Sequence, residues 1–392
     1  MRIWVKRILA SLLAVGVLGL AGFLIFAPAI VEKGQNGVVA HEPYPVSQAA
    51  RALHERLVIG DWHADSLLWN RDLLKRSNYG QVDFPRLKAG NVAVQVLTTV
   101  TKSPSGQNYD QNSAEAGDRI TLLAMGQLWP FRTWNSLTER ALYQSQKLHE
   151  FAERAEGTIR IIRTRRDLAA VLAARAVGQD LTGIVIGAEG GHALDRDQAN
   201  LGRLFDAGFR LMGLQHFFDN ALGGSLHGRS GAGLTEFGIS VVHEMAERGM
   251  VIDLAHSSQA VAREVLEITD VPVIVSHTGI FSHCQTKRNF PDDLMAAIAA
   301  RGGLIGIGYW ADVTCDASPD GVAGAIRAAI ALVGADHVAL GSDFDGAVET
   351  AFDASELAAL TDALLRAGVS EGDIVRVMGA NMMAFLQSQL PE

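Results

Sequence analysis

Two cysteines in 392 residues, Cys284 and Cys315, and no Cys-x-x-Cys pair exclude a thiolate zinc site and a disulfide-rich scaffold. Sequence does not set their separation, so a disulfide and two free thiols both stay open. Basic clusters are also scarce, and the longest, "RIIRTRR" from Arg160 to Arg166, reads as the cap of a surface helix or loop. Three of the 34 Lys and Arg residues, Arg2, Lys6 and Arg7, sit at the very start, which leaves 31 basic against 43 acidic side chains in the remainder. So acidic a body argues against nucleic acid as a partner, because binding phosphates requires clustered cations. Motifs for other chemistries are missing too. There is no Gly-x-Ser-x-Gly elbow, "GLIGIGYW" lacks the Rossmann spacing, and "GRSGAGLTE" lacks the Lys-Ser/Thr of a P-loop.

Long apolar runs are absent except for one. After "MRIWVKR" comes an uncharged stretch from Ile8 to Val31, "ILASLLAVGVLGLAGFLIFAPAIV". About 20 such residues suffice to cross a bilayer. The basic residues before it favour a cytoplasmic N-terminus, so the expectation is a single-pass anchor with the rest of the chain on the periplasmic or extracellular side. "FAPA" vaguely resembles a signal-peptidase site, so export after cleavage is the alternative, although the run exceeds an ordinary signal-peptide core. Residues 1–31 are thus read as anchor, 32–47 as a polar tether and 48–392 as the folded body. The C-terminal "MMAFLQSQLPE" carries no hydrophobic tail, which speaks against a lipid anchor at that end.

The body is globular in composition, 48% hydrophobic and 20% charged with 40 glycines. Eight short apolar runs recur: Leu57–Asp61, Val92–Val100, Gly183–Gly187, Arg210–Gln215, Met250–Leu254, Val271–Ser276, Leu304–Gly308 and Val338–Gly341. Several follow an Ala-rich helical stretch and a glycine, as in "AERGMVIDL" and "AARGGLIGI". Near-continuous apolar runs suit parallel strands covered on both faces. Eight strand–helix units predict an α/β fold, a TIM-like (β/α)8 barrel, with residues 101–157 inserted after the second strand.

The residues that end these runs carry the chemistry. His63 and Asp65 in "DWHAD" stand two apart, on one side of an extended chain. Glu189, His216, His256, His277, Tyr309, Asp343 and Asp345 end later runs, and His192 lies near Glu189. A lone histidine at a strand end is more often structural than a ligand. A barrel, however, brings every strand end to one face, and imidazoles and carboxylates gathered there point to a metal site, with zinc the first choice among Mn, Fe and Co. There are more ligands than one ion needs, so two ions are expected.

The ordered motifs "DWHAD", "GAEGGHAL", "LQHFFDN", "GLTEFG", "VIDLAHSS", "VSHTG", "KRNFPDD" and "GSDFDG" resemble the membrane (renal) dipeptidase family of zinc peptidases, from about His54 to Leu386. The resemblance implies a dimeric amidohydrolase-type barrel with two Zn2+ ions and a dipeptide substrate. In it, His63 and Asp65 hold one ion, His256 and His277 the other, and Glu189 bridges them. His216 contacts substrate and steadies the tetrahedral intermediate, Arg288 pairs with the substrate carboxylate, Asp343 shuttles the proton, and Tyr309 lines the pocket. Similar enzymes accept dipeptides ending in a D-residue. Asp345 and His192 are expected behind the ligands, and His227 and His283 in loops without a role. Without the resemblance, a surface salt bridge to Asp292 or Asp293 is the lesser alternative for Arg288. The rival functions are a barrel amidohydrolase acting on cyclic amides or lactones, and a binding protein that keeps the fold without chemistry.

Overall fold

Each of the eight apolar runs becomes a barrel strand in the computed structural model, which describes residues 2–392, apart from the side chains of residues 2, 20, 21, 23 and 25. The strands are β1 (Ile59–Asp61), β2 (Val92–Val100), β4 (Thr182–Glu189), β5 (Phe209–Gly213), β6 (Val251–Asp253), β7 (Ile274–Thr278), β8 (Leu304–Ile307) and β9 (Val338–Leu340). All pair in parallel in the order β2-β1-β9-β8-β7-β6-β5-β4, and pairing of residues 94–100 of β2 with 183–189 of β4 closes the barrel. Every residue of β2 is buried, as helices on the outside and packed side chains inside require. A ninth strand, β3 (Ile159–Ile161), pairs with the start of β4 below the stretch that β5 occupies. It overlaps the start of the segment read as a basic cap and went unread as a strand, because three residues with an exposed Arg160 give no apolar run.

The turns follow local chemistry. Gly249 ends the helix Glu236–Arg248 with φ 67°, a left-handed residue that lets β6 start two positions later. Gly341, just past β9, lies so close to β7 that a Cβ there would meet the Ser276 carbonyl at 1.8 Å. This approach is what brings the loop after β9 against the end of β7. The insertion after β2 forms helices Arg119–Gly126, Arg132–Asn135 and Leu137–Arg154. It is fastened to the end of the barrel by Arg140, whose guanidinium donates to Thr101 O (2.7 Å), and by Gln144, which donates to Val100 O (3.0 Å).

The N-terminal segment forms one helix, α1 (Arg2–Gln35). Among the described residues, no helix is long and apolar enough to cross a membrane. Within the apolar run Ile8–Val31, the side chains of residues 20, 21, 23 and 25 lie outside that description. The stretch after it differs from a free tether. Glu32 and Asn36 are buried, Val38 pairs with Thr350, and Val39 N donates to Thr350 O at 2.8 Å. Polar residues of the "tether" find buried partners on the barrel, a contact no local pattern reveals.

His54, in the short helix Gln48–His54 under the barrel, bonds through Nδ1 to Thr361 Oγ1 at 2.9 Å. Burial pushes its imidazole down to about 4 from 6.5. Below pH 6.5 the unfolded chain takes up a proton that the folded ring refuses. The associated stability is present above that pH and lost as pH falls toward 4, by up to about 3 kcal/mol. His54→Gln should remove this part of the acid sensitivity, seen as a smaller difference between urea unfolding free energies at neutral and acid pH than the parent shows.

Candidate metal centre and active site

The carboxyl ends of the strands meet in one buried cluster. His63 and Asp65 follow β1, whose chain continues in register between Val96, Thr98 and Phe344 through Ala64 N to Val96 O (3.1 Å) and Asp65 N to Phe344 O (2.9 Å). Glu189 is the last residue of β4, and its Oε1 lies 3.5 Å from His63 Nε2, 3.3 Å from His256 Nε2 and 3.5 Å from His277 Nε2. Its other oxygen lies 3.4 Å from His216 Nε2. Asp65 and Asp343 stand 3.6 and 3.8 Å from His63 Nε2. Three sets of potential ligand atoms therefore converge: His63, Glu189 and His277; Glu189, His216 and His256; His63, Asp65 and Asp343. Glu189 belongs to two of them and His63 to two, which suits neighbouring cations sharing a carboxylate.

Hydrogen bonds set which ring nitrogen is free. Ser276 gives its one hydroxyl proton to Asp253 Oδ2 at 2.6 Å, so toward His277 Nδ1, at 2.8 Å, it can only accept. The His277 proton therefore sits on Nδ1, and Nε2 turns a lone pair to Glu189. Thr98 donates to Asp65 Oδ1 at 2.6 Å and orients that carboxylate. His216 has acceptors on both sides, Lys102 O at 3.3 Å from Nδ1 and Glu189 at Nε2. Two of these residues hold left-handed backbone, His256 at φ 63° and Asp343 at φ 59°, a strained choice that functional sites retain.

The electrostatics ask for positive charge. Burial, then Asp65, raises Glu189 well above an ordinary carboxylate. Burial pushes Asp343 up to about 7, against the pull of His63. Burial alone would lower His63, yet Glu189, Asp65 and Asp343 override it and hold the ring up at about 10. His256 and His277 go the other way, pushed well below 6.5 by burial and then by the charges of Arg288 and His63 respectively. Neutral imidazoles beside carboxylates that are starved of cations form a donor set that fits divalent metal ions.

Arg288 faces the same cavity, whose volume is about 350 Å3. It is 2% exposed, donates to His277 O at 2.9 Å, and lies with its guanidinium carbon 5.7 Å from the centre of the Trp310 ring. It forms no ion pair with a carboxylate among the described residues. Asp293 pairs instead with Arg263 at 2.6 Å, and Asp292 accepts from Ser282 N at 3.1 Å, so the surface reading of Arg288 does not hold. Tyr309 is misplaced in the sequence reading. It is fully buried against Phe344 and Phe352, with an unpartnered hydroxyl, and does not line the cavity. The tyrosine that does line it is Tyr109, from the insertion, which bonds to Trp310 Nε1 at 3.1 Å. His192 packs behind His216 with ring centres 6.4 Å apart. Asp345 bonds Ser66, Arg71 and Gln81 behind the ligands. His227 is buried, stacks on Phe217 and bonds Tyr109 O at 3.0 Å, a support for the wall that its loop position had hidden.

A buried ring of imidazoles and carboxylates at the carboxyl end of a (β/α)8 barrel defines the class of metal-dependent barrel hydrolases. Sequence comparison narrows it. Residues 47–389 match the profile of the membrane dipeptidase family, and the chain belongs to that family of metallopeptidases. It is 28% identical over 385 residues to dipeptidase aclJ of Aspergillus oryzae, spanning 88% of this chain and 83% of that protein. It is 32% identical over 254 residues to dipeptidase verJ of Clonostachys rogersoniana, spanning 63% of this chain and 64% of that one. Among solved structures, the metallopeptidase dipeptidase AC superposes with a TM-score of 0.70 at 23% identity, over 86% of this chain and 99% of its own. A metallopeptidase of Rhodobacter sphaeroides, bound to a phosphinate mimic of L-Ala-D-Ala, does so at 0.66 and 22% identity, over 85% and 99%. Both share the barrel.

Proposed function

We propose that the chain hydrolyses dipeptides at a dinuclear zinc site. His63 and Asp65 would hold one ion, His256 and His277 the other, with Glu189 between them. Such ions, when bound, acidify a coordinated water and polarise a carbonyl. The side chains supply the rest. Arg288 offers a guanidinium fork to the substrate's terminal carboxylate and so limits the enzyme to chains ending one residue past the scissile bond. His216, beside Glu189 and lining the cavity, contacts the substrate and steadies the tetrahedral intermediate. Asp343 accepts a proton from the attacking water and returns it to the leaving amine. The observation that carries this reading is Arg288: a buried guanidinium that faces the cavity of the ligand cluster and, among the described residues, is in ion-pair contact with no carboxylate has room for an anionic guest.

The first test is hydrolysis of L,L- and L,D-dipeptides by the full-length protein in detergent, as purified, after chelation and after zinc is restored. Turnover should vanish with chelator and return with zinc, and the panel ranks the stereochemistry of the second residue. Zinc binding without turnover of any dipeptide would shift the substrate to cyclic amides or lactones. Neither metal nor turnover would leave a binding protein.

We further propose that the apolar run Ile8–Val31 anchors the chain in the cell membrane through its part before Ala27, its last turn leaving the bilayer at the barrel on the periplasmic or extracellular side. Leu9, Leu12, Leu13 and Leu18 of α1 are 60 to 72% exposed, an apolar surface that a bilayer would cover. Cys284 and Cys315 form a disulfide, which fits an oxidising compartment.

A further inference from the structure

The helix that carries the apolar N-terminal run also reaches the active site. Ala27, Pro28, Val31 and Gln35 of α1 line the same cavity as Glu189, His216, Arg288 and Asp343. Their spacing puts them on one helical face. All four precede residue 47, where the match to the family begins.

This end of the helix is fixed in place. Glu32 pairs with Arg71, both buried, and Arg71 Nη2 bonds Asp345 Oδ2 at 2.5 Å. Asn36 Oδ1 accepts from Ala347 N at 2.9 Å, and Gly37 O accepts from Gln81 Nε2 at 2.9 Å. The helix is therefore tied to the loop that carries Asp343, on the Asp65 side of the cluster, where Leu68 and Trp69 also face the cavity. Arg288 lies on the His256 and His277 side. Trp69, Leu123 and Val31 line the cavity together with Glu189 and Arg288, so a dipeptide held by its carboxylate at Arg288 with its amide at Glu189 would have this apolar lining available for its first side chain. Gln35 and Arg119 are polar members of a lining that is otherwise mostly apolar here.

We propose that residues 27–35 of α1 form the outer wall of the site for the amino-terminal residue and select dipeptides whose first side chain is bulky and apolar. The inference rests on the dipeptidase reading above. Val31 is the residue to probe, because it is 42% exposed and its replacement leaves the barrel core intact. Ile30 is the control, 69% exposed and outside the lining.

The experiment measures kcat and KM of the full-length protein in detergent on Gly-Ala, Ala-Ala, Leu-Ala and Phe-Ala. The parent should prefer Leu-Ala to Gly-Ala. Val31→Ala should cut that preference about three- to fivefold, mainly through a higher KM for Leu-Ala, because a shortened side chain on a half-exposed wall covers less of the leucine. Val31→Met should shift the ratio against Phe-Ala by narrowing the space, and Ile30→Ala should leave all ratios as in the parent. A parent without preference for Leu-Ala, or Val31 variants with the ratios of Ile30→Ala, would overturn the wall while the dipeptidase reading stands. A parent that cleaves none of the four would overturn both.

Discussion

Glu189→Gln should lower kcat/KM for any dipeptide by about three orders of magnitude, and should lower the zinc content of the purified protein as well. The carboxylate stands within 3.5 Å of the Nε2 atoms of four histidines, His63, His216, His256 and His277, and takes part in two of the three ligand groupings. The amide keeps the shape and removes the charge. It also brings an NH2 group that would occupy the lone pairs of the neutral His256 and His277 rings, which a cation needs. Charge stabilisation by a catalytic metal amounts to several kcal/mol, and each 1.4 kcal/mol is a factor of ten, which gives the magnitude. Metal analysis separates two outcomes. Loss of activity with loss of zinc assigns Glu189 as a bridging ligand. Full activity with full zinc would remove it from the site.

Asp343→Asn should produce a second large loss, about 10²- to 10⁴-fold in kcat, with zinc retained and KM little changed. The side chain comes from a strained left-handed residue, and the neighbouring Gly346 leaves it space, since a Cβ there would meet Asp343 Oδ1 at 2.1 Å. That space fits an amide as well as an acid, so the substitution tests proton transfer and leaves packing alone. A variant that lost zinc along with activity would make Asp343 a ligand instead of a proton carrier. Comparing metal content with rate decides between the two roles.

Much of the barrel was legible because parallel strands covered on both faces read as unbroken apolar runs. The convergence of candidate ligand side chains was legible because such strands end on one side. His63, Glu189, His256 and His277 are each fixed by a strand next to them, so their place follows from the run that precedes them. Tyr309 has the same position past β8, but its ring turns to Phe344 and Phe352, and position along the chain says nothing of that rotation. Tyr109 went unseen because it stands in the insertion, where no strand places it. The Cys284–Cys315 bond joins residues 31 apart across β8, and only the closed barrel sets that separation. The role of α1 was hidden differently. An apolar run without interruption masks which of its faces is meant for protein.

The buried pairing of Glu32 with Arg71 gives that last point a consequence for maturation. A peptidase cutting after Ala29 of "FAPA" would act upstream of Glu32 and Asn36. The barrel would keep those two links, while the part of α1 that holds Ala27 and Pro28 would be released. On the proposed anchor and the proposed α1 wall, release from the bilayer and remodelling of the catalytic cavity would be one proteolytic event, and the cleaved and tethered forms would differ in the dipeptides they favour.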